Sequence, residues 1–165
     1  MVSISGTGTA SATPTAGSAT SRARMPGPLA LAAAALLTTG AAPVSRLTVA
    51  LDHLRSAKGL VRVCLTADPA NFPACIDDAD AVTLSIPAAD RRFSLPGLAP
   101  GDYAVAVIHD ENGNGKLDTF AGIPREGYGF SRNAPVRFGP PRFAAARFTV
   151  GDAPAAERVT IRYLL

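Results

Sequence analysis

The sequence predicts an all-β domain: a single antiparallel β-sandwich of about seven short strands with one long loop. Three observations predict it. Apolar and polar residues alternate with period two over most of residues 43–165. Turn residues separate the alternating runs, as at Lys58-Gly59, Pro96–Gly101 and Gly151–Pro154. No stretch of this region carries a sustained helical stripe.

Each element follows in order. Leu47, Val49 and Leu51 alternate, and Leu60–Leu65 follows after the Lys58-Gly59 turn, so the two runs read as a first hairpin. Asp68–Pro73 is a loop held at its far side by Cys75. Ala81–Ile86 and Arg92–Leu95 are the next two strands. Tyr103–His109 is the most apolar run, apolar on both faces, and belongs in the middle of a sheet. Arg147–Val150 and Arg158–Tyr163 close the series. Between Asp110 and Ala146 the strand pattern fails, and a loop of that length in a small domain tends to be functional.

Residues 1–42 read as a signal peptide with a disordered N-terminal extension, leaving 43–165 as the sandwich. Arg22 and Arg24 precede the apolar run Leu29–Leu37, and small residues follow at Thr39–Ala42, with cleavage best placed after Ala41. The apolar run is shorter than the roughly 20 residues a bilayer span takes. No second stretch of spanning length follows, so no integral membrane segment is expected once the leader is removed. A periplasmic or secreted location is the expectation.

Without Arg22 and Arg24, 14 basic residues face 13 acidic ones, so nothing in the charge points to nucleic acid. Cys64 and Cys75, an even count in an exported chain, are expected to form a disulfide. With the two positions 11 apart in sequence, such a bridge contributes about 2–3 kcal/mol.

The segment Asp110–Asp118 places oxygen-bearing side chains at relative positions 1, 3, 5 and 9, with glycine at 6. This is the opening of a calcium loop, in which alternate side chains of a tight coil converge on one centre. Asp110, Asn112, Asn114, Lys116 (through its carbonyl) and Asp118 are the expected ligands of a structural Ca2+ ion. Position 12 is Ala121, so the bidentate glutamate of an EF-hand is missing and affinity should be modest. Glu111 should point away from the centre, while Glu126 is placed to reach back. The same residues also suit a metal-free surface turn, since Asn-Gly pairs tolerate positive φ.

Beyond the coil, Arg132, Arg137, Arg142 and Arg147 recur among Tyr128, Phe130, Phe138, Phe143 and Phe148. This Arg/aromatic loop, 125–147, is either a recognition surface for a ligand or protein partner, or a cap of aromatics with arginines lying over them. Chemistry for catalysis is sparse. His53 and His109 are the only histidines, Ser131 has no recognisable base, and no phosphate-binding glycine loop opens a helix.

The runs Pro100–Val105, His109–Asp118, Gly122–Ser131 and Phe138–Pro141 resemble an uncharacterised bacterial exported family, domain of unknown function 2141. The turn into the strand at Leu98–Tyr103 also resembles that of transthyretin-like and carboxypeptidase-regulatory-like sandwiches. The resemblance implies a periplasmic or secreted domain and brings no activity. The expected function is therefore a calcium-stabilised binding or scaffold module with no catalytic residues. The alternatives are a small hydrolase or lyase using His109 with a loop carboxylate, and a structural envelope component.

Overall fold

Ten strands and almost no helix make up the described chain. The structure is a computed structural model that describes residues 44–165, so the leader predicted at 1–42 lies outside the described residues. The strands are β1 (Ser45–Asp52), β2 (Leu60–Thr66), β3 (Val82–Pro87), β4 (Arg92–Leu98) and β5 (Gly101–Asp110). They continue as β6 (Thr119–Phe120), β7 (Ile123–Pro124), β8 (Gly127–Phe130), β9 (Phe148–Val150) and β10 (Ala155–Thr160). A 3-10 turn spans Ser131–Asn133, and one helical turn, α1, spans Phe143–Ala146.

Two sheets face each other. One has the order β10-β1-β4; the other runs β3-β2-β5-β8, with β9 also paired to β5. Alternation buries Leu47, Val49 and Leu51 of β1 and Val159 of β10 against Val61, Val63 and Leu65 of β2 and Val105 and Val107 of β5. Each aliphatic side chain so buried stabilises the fold by about 1.5–3 kcal/mol. The all-β sandwich expected from the sequence is the fold observed.

Three details depart from the expectation. β1 and β2 do not form a hairpin: β1 pairs with β4 and β10, while β2 pairs with β3 and β5. Their alternation marks a face to be buried, and both faces are buried across the sandwich from one another. The first and last strands pair in parallel, so the sheets are not antiparallel throughout. The stretch expected to be one long loop contains the hairpin β6–β7 and the strand β8, which lies beside β5 with Tyr128 opposite Ile108.

β8 reads in sequence as glycine-punctuated loop, and its glycines have a packing cause. A Cβ at Gly129 would come within 2.7 Å of a Val159 methyl and 2.9 Å of the Thr160 carbonyl. One at Gly127 would meet the Tyr163 ring at 2.5 Å. Only glycine lets β8 approach the chain leaving β10 this closely.

On its outer face the five-stranded sheet carries a second apolar cluster of Cys64, Ala104, Ala106, Tyr128, Phe130, Ala134 and Ala146. The Cys64–Cys75 disulfide is formed, with Cα atoms 5.8 Å apart, and ties the Asp68–Cys75 loop to β2. From that loop Phe72 meets Phe130 and Phe143 edge-on, with centroids 5.9 and 6.0 Å away. Asp68 builds the loop by accepting from the Ala70 N–H and the Asn71 amide, and the Thr66 hydroxyl donates to Asp78. In the acidic stretch Asp77–Asp80, Asp78 also accepts the Asp80 N–H at 3.0 Å, closing a local turn.

Ser131 closes a gap in this sheet. Along one edge of β5, β8 pairs with residues 106–109 and β9 with residues 101–103. Between them the Val105 N–H donates to the fully buried Ser131 hydroxyl at 2.9 Å, and that hydroxyl donates to the Ala146 carbonyl at 2.6 Å. The hydroxyl thus satisfies the Val105 N–H that strand pairing leaves behind and the carbonyl at the end of α1.

Candidate functional site

β5 ends at Asp110 and delivers its carboxylate, fully buried, into the start of the coil. There Oδ1 accepts the Asn114 N–H at 3.0 Å, and Oδ2 accepts the Gly115 N–H at 2.8 Å. Arg62, opposite Ile108 on the neighbouring β2, donates its Nε–H to the same Oδ2 at 2.9 Å. Burial pushes the carboxyl up, but the Gly115 N–H, the Arg62 guanidinium and the Asn114 N–H outweigh it and hold Asp110 below the usual carboxylate range.

The remaining expected ligands gather as a coil. The Asn112 side-chain oxygen accepts the Asn114 N–H, and the Asn114 side-chain oxygen accepts the Lys116 N–H, both at 3.0 Å. Both carboxamide nitrogens donate to Asp118, at 2.6 and 2.9 Å. Those two donors, Asn114 first, lower the Asp118 carboxyl. Gly113 and Gly115 take positive φ, of 74° and 86°, which supplies the tight winding.

Two acidic neighbours frame the coil. Glu111 points outward, as expected, to Arg55 Nε at 3.0 Å and the Ser56 hydroxyl at 2.8 Å. Glu126 does reach back, but to the backbone: its two oxygens accept the Glu111 and Asp118 N–H groups at 2.9 and 3.0 Å. It clamps both ends of the coil. Arg62 went unnoticed in the sequence reading because it lies on another strand and no local spacing links it to Asp110.

His109 faces the core and is fully buried. Its Nε2 lies 2.9 Å from the Lys58 carbonyl, which can only accept, so the proton sits on Nε2. Nδ1 then accepts the Tyr163 hydroxyl at 2.6 Å. Both ring nitrogens are committed, and the ring is fully buried rather than set in the solvent-open cleft that a hydrolase or lyase using His109 would need. Tyr163 belongs to a C-terminal tail held under Arg55, whose guanidinium stacks 4.4 Å over its ring and donates to the Leu165 carbonyl.

The Arg/aromatic loop divides. Tyr128, Phe130 and Phe148 are buried and Phe143 half-buried, whereas Phe138 stands fully in solvent. Arg147 pairs with Asp102 at 3.3 Å, while Arg137 and Arg142 form no ion pair among the described residues. Between this loop, the β6–β7 hairpin and the outer face of β5 lies a groove of about 460 Å³. Ile108, Tyr128 and Phe130 form its floor, and Leu117, Ile123 and Val136 line its sides. That volume lies within the range of small-molecule sites.

Among the described residues no three His, Cys, Asp or Glu side chains gather as a metal-binding group. The coil's oxygens come from two carboxylates and two carboxamides. Each of these oxygens, Asp110 Oδ2 excepted, accepts a single hydrogen bond and keeps a lone pair.

Fold and site define a small β-sandwich with an apolar groove beside an asparagine-built coil. The chain belongs to the bacterial family described as "Uncharacterized protein conserved in bacteria (DUF2141)", whose family model matches residues 49–158. No curated protein and no solved structure matches it. Among the described residues no helix is long and apolar enough to cross a membrane.

Proposed function

We propose that the chain is a periplasmic or secreted binding module that takes a ligand along the outer face of its five-stranded sheet. The observation that carries this reading is the groove beside β5 and β8, which is apolar, open to solvent and built largely from the family-matched segment. The loop 125–147 supplies Tyr128, Phe130, Val136 and Arg137 to it. The leader pattern and the disulfide support the location.

Calcium enters as a structural tie. Asp110 Oδ1, the Asn112 and Asn114 side-chain oxygens and the Asp118 carboxylate each have a lone pair for an ion, with the Lys116 carbonyl as a further ligand. Arg62 on Asp110 opposes a divalent charge, and no glutamate stands at position 12. Both facts favour a weak affinity, in the range of extracellular modules, about 10⁻⁴–10⁻³ M.

A thermal-shift screen of small molecules against the full chain, with and without calcium, tests the reading. The expected result is a ligand class that raises Tm for the native chain but not for Leu164→Asn, which alters an exposed groove residue. A screen without any such class overturns it. For the ion, calorimetric titration into chelator-treated protein should give heat and a rise in Tm, both lost in Asp118→Ala. Heat that survives this substitution removes the coil as the site.

A further inference from the structure

We infer that the groove accepts the chain of a free acyl carboxylate, with the head group held by Lys116 and Arg137. The inference rests on the binding reading above and names its ligand class. Two adjoining hollows make up the site. The first is the 460 Å³ groove; the second, of about 570 Å³, continues over Arg62, Cys64 and Ser85 and shares Pro73, Ala106 and Ile108 with it. Together they form a trough across four strands, β3, β2, β5 and β8, floored by side chains.

Charge at the trough has one sign. Arg62, Lys116 and Arg137 line it, and no Asp or Glu does. Arg62 is committed to Asp110, but Lys116 and Arg137 form no ion pair among the described residues, and both are exposed. At the rim, Ile123 and Leu164 are 44% and 56% exposed, so apolar surface stands open beside Arg137, while Lys116 lines the adjoining hollow. That pairing matches a molecule with an apolar body and an anionic end.

The floor distinguishes an alkyl chain from a peptide. A peptide brings one N–H and one C=O per residue, each needing a partner once desolvated. β5 lies between β2 and β8, so its own backbone groups at residues 106–109 are already paired. No buried side-chain polar atom among the described residues lacks a partner. The trough therefore offers largely apolar contact, with Arg62 neutralised by Asp110 and its unpaired charges on exposed Lys116 and Arg137, which suits methylenes and a carboxylate.

The test titrates the full chain by calorimetry with three probes below their micelle concentrations: dodecanoate, dodecyltrimethylammonium and the neutral dodecyl maltoside. Dodecanoate should bind about ten-fold more tightly than the cationic probe. In the Lys116→Glu, Arg137→Glu double variant, at two exposed positions, that preference should fall to about two-fold or less. Leu164→Asn should weaken all three probes. Absence of dodecanoate binding overturns the inference, as does equal affinity for anion and cation, or a preference that survives the double variant. If dodecanoate fails while another compound, such as an extended peptide, raises Tm in a Leu164-dependent way, the acyl ligand falls and the binding module stands. Failure of every compound removes both.

Discussion

The two sheets bury their inner faces alike and treat their outer faces oppositely. The outer face of β10-β1-β4 presents Thr48, Ser94, Ala156, Arg92 and Arg158 to solvent. The outer face of β3-β2-β5-β8 carries Cys64, Ala106 and Phe130, each 9% exposed or less, under loops that fold back over it. A sheet with one polar face ends a sandwich. A sheet with two apolar faces needs a third layer, and here that layer is irregular chain: the disulfide-tied loop on one side, the coil and the Arg/aromatic loop on the other. The groove exists where this third layer stops short of covering the strand.

That contrast predicts a graded set of effects. Phe130→Ala, which empties a site shared by Phe72 and Tyr128, should destabilise by about 3–5 kcal/mol in denaturant unfolding. Asp110→Ala frees two coil N–H groups and strands Arg62, a third exposed, so about 3 kcal/mol is expected, at the low end for a broken buried pair. Replacing Cys64 and Cys75 by serine should cost about 2–3 kcal/mol, with hydrogen exchange rising first in the Asp68–Cys75 loop. On the bare sheet, Thr48→Ala should stay within about 0.5 kcal/mol. A loss there equal to that of Phe130→Ala would dissolve the contrast.

Acid gives a further test with a defined sign. Asp110 and Glu111 both titrate below their ordinary values in the folded chain, Glu111 chiefly through Arg55. The folded state therefore binds fewer protons than the unfolded one. Stability from these groups is complete above about pH 4–4.5, where the unfolded carboxyls ionise, and is lost as pH falls through the folded values. In chelator, Asp110→Asn should flatten the stability–pH curve below about pH 4. An unchanged slope would show that other carboxylates carry acid unfolding.

What the sequence made legible divides along the same line. Tyr103–His109 reads as central because apolar residues fall on both faces, and β5 does lie between β2 and β8–β9. The coil is legible from its spacing, and the positions of Asn112, Asn114 and Asp118 follow it. Arg62 is not legible, since only strand register brings it to Asp110. β8 is hidden for the opposite reason: its glycines, which argue locally for loop, are required by Val159 and Tyr163. The hairpin expected of β1 and β2 does not form, because alternation fixes which face is buried and leaves the partner strand open. The two histidines and Ser131, weighed for catalysis, are structural where the described contacts bind them, at His109 and Ser131.

The parallel pairing of β1 with β10 has a kinetic consequence. The strand first in sequence waits for residues 155–160 to be synthesised before one of its edges finds a partner. More than a hundred residues separate Leu47 from Ala155, so this is the longest-range strand pairing among the described residues and contributes to a high contact order. Until then, Leu47, Val49 and Leu51 lack Val159 and the cover it gives. Assembly of the three-stranded sheet is thus a late event, and a nascent chain ending before Ala155 holds an unpaired edge open to chaperones or to premature association.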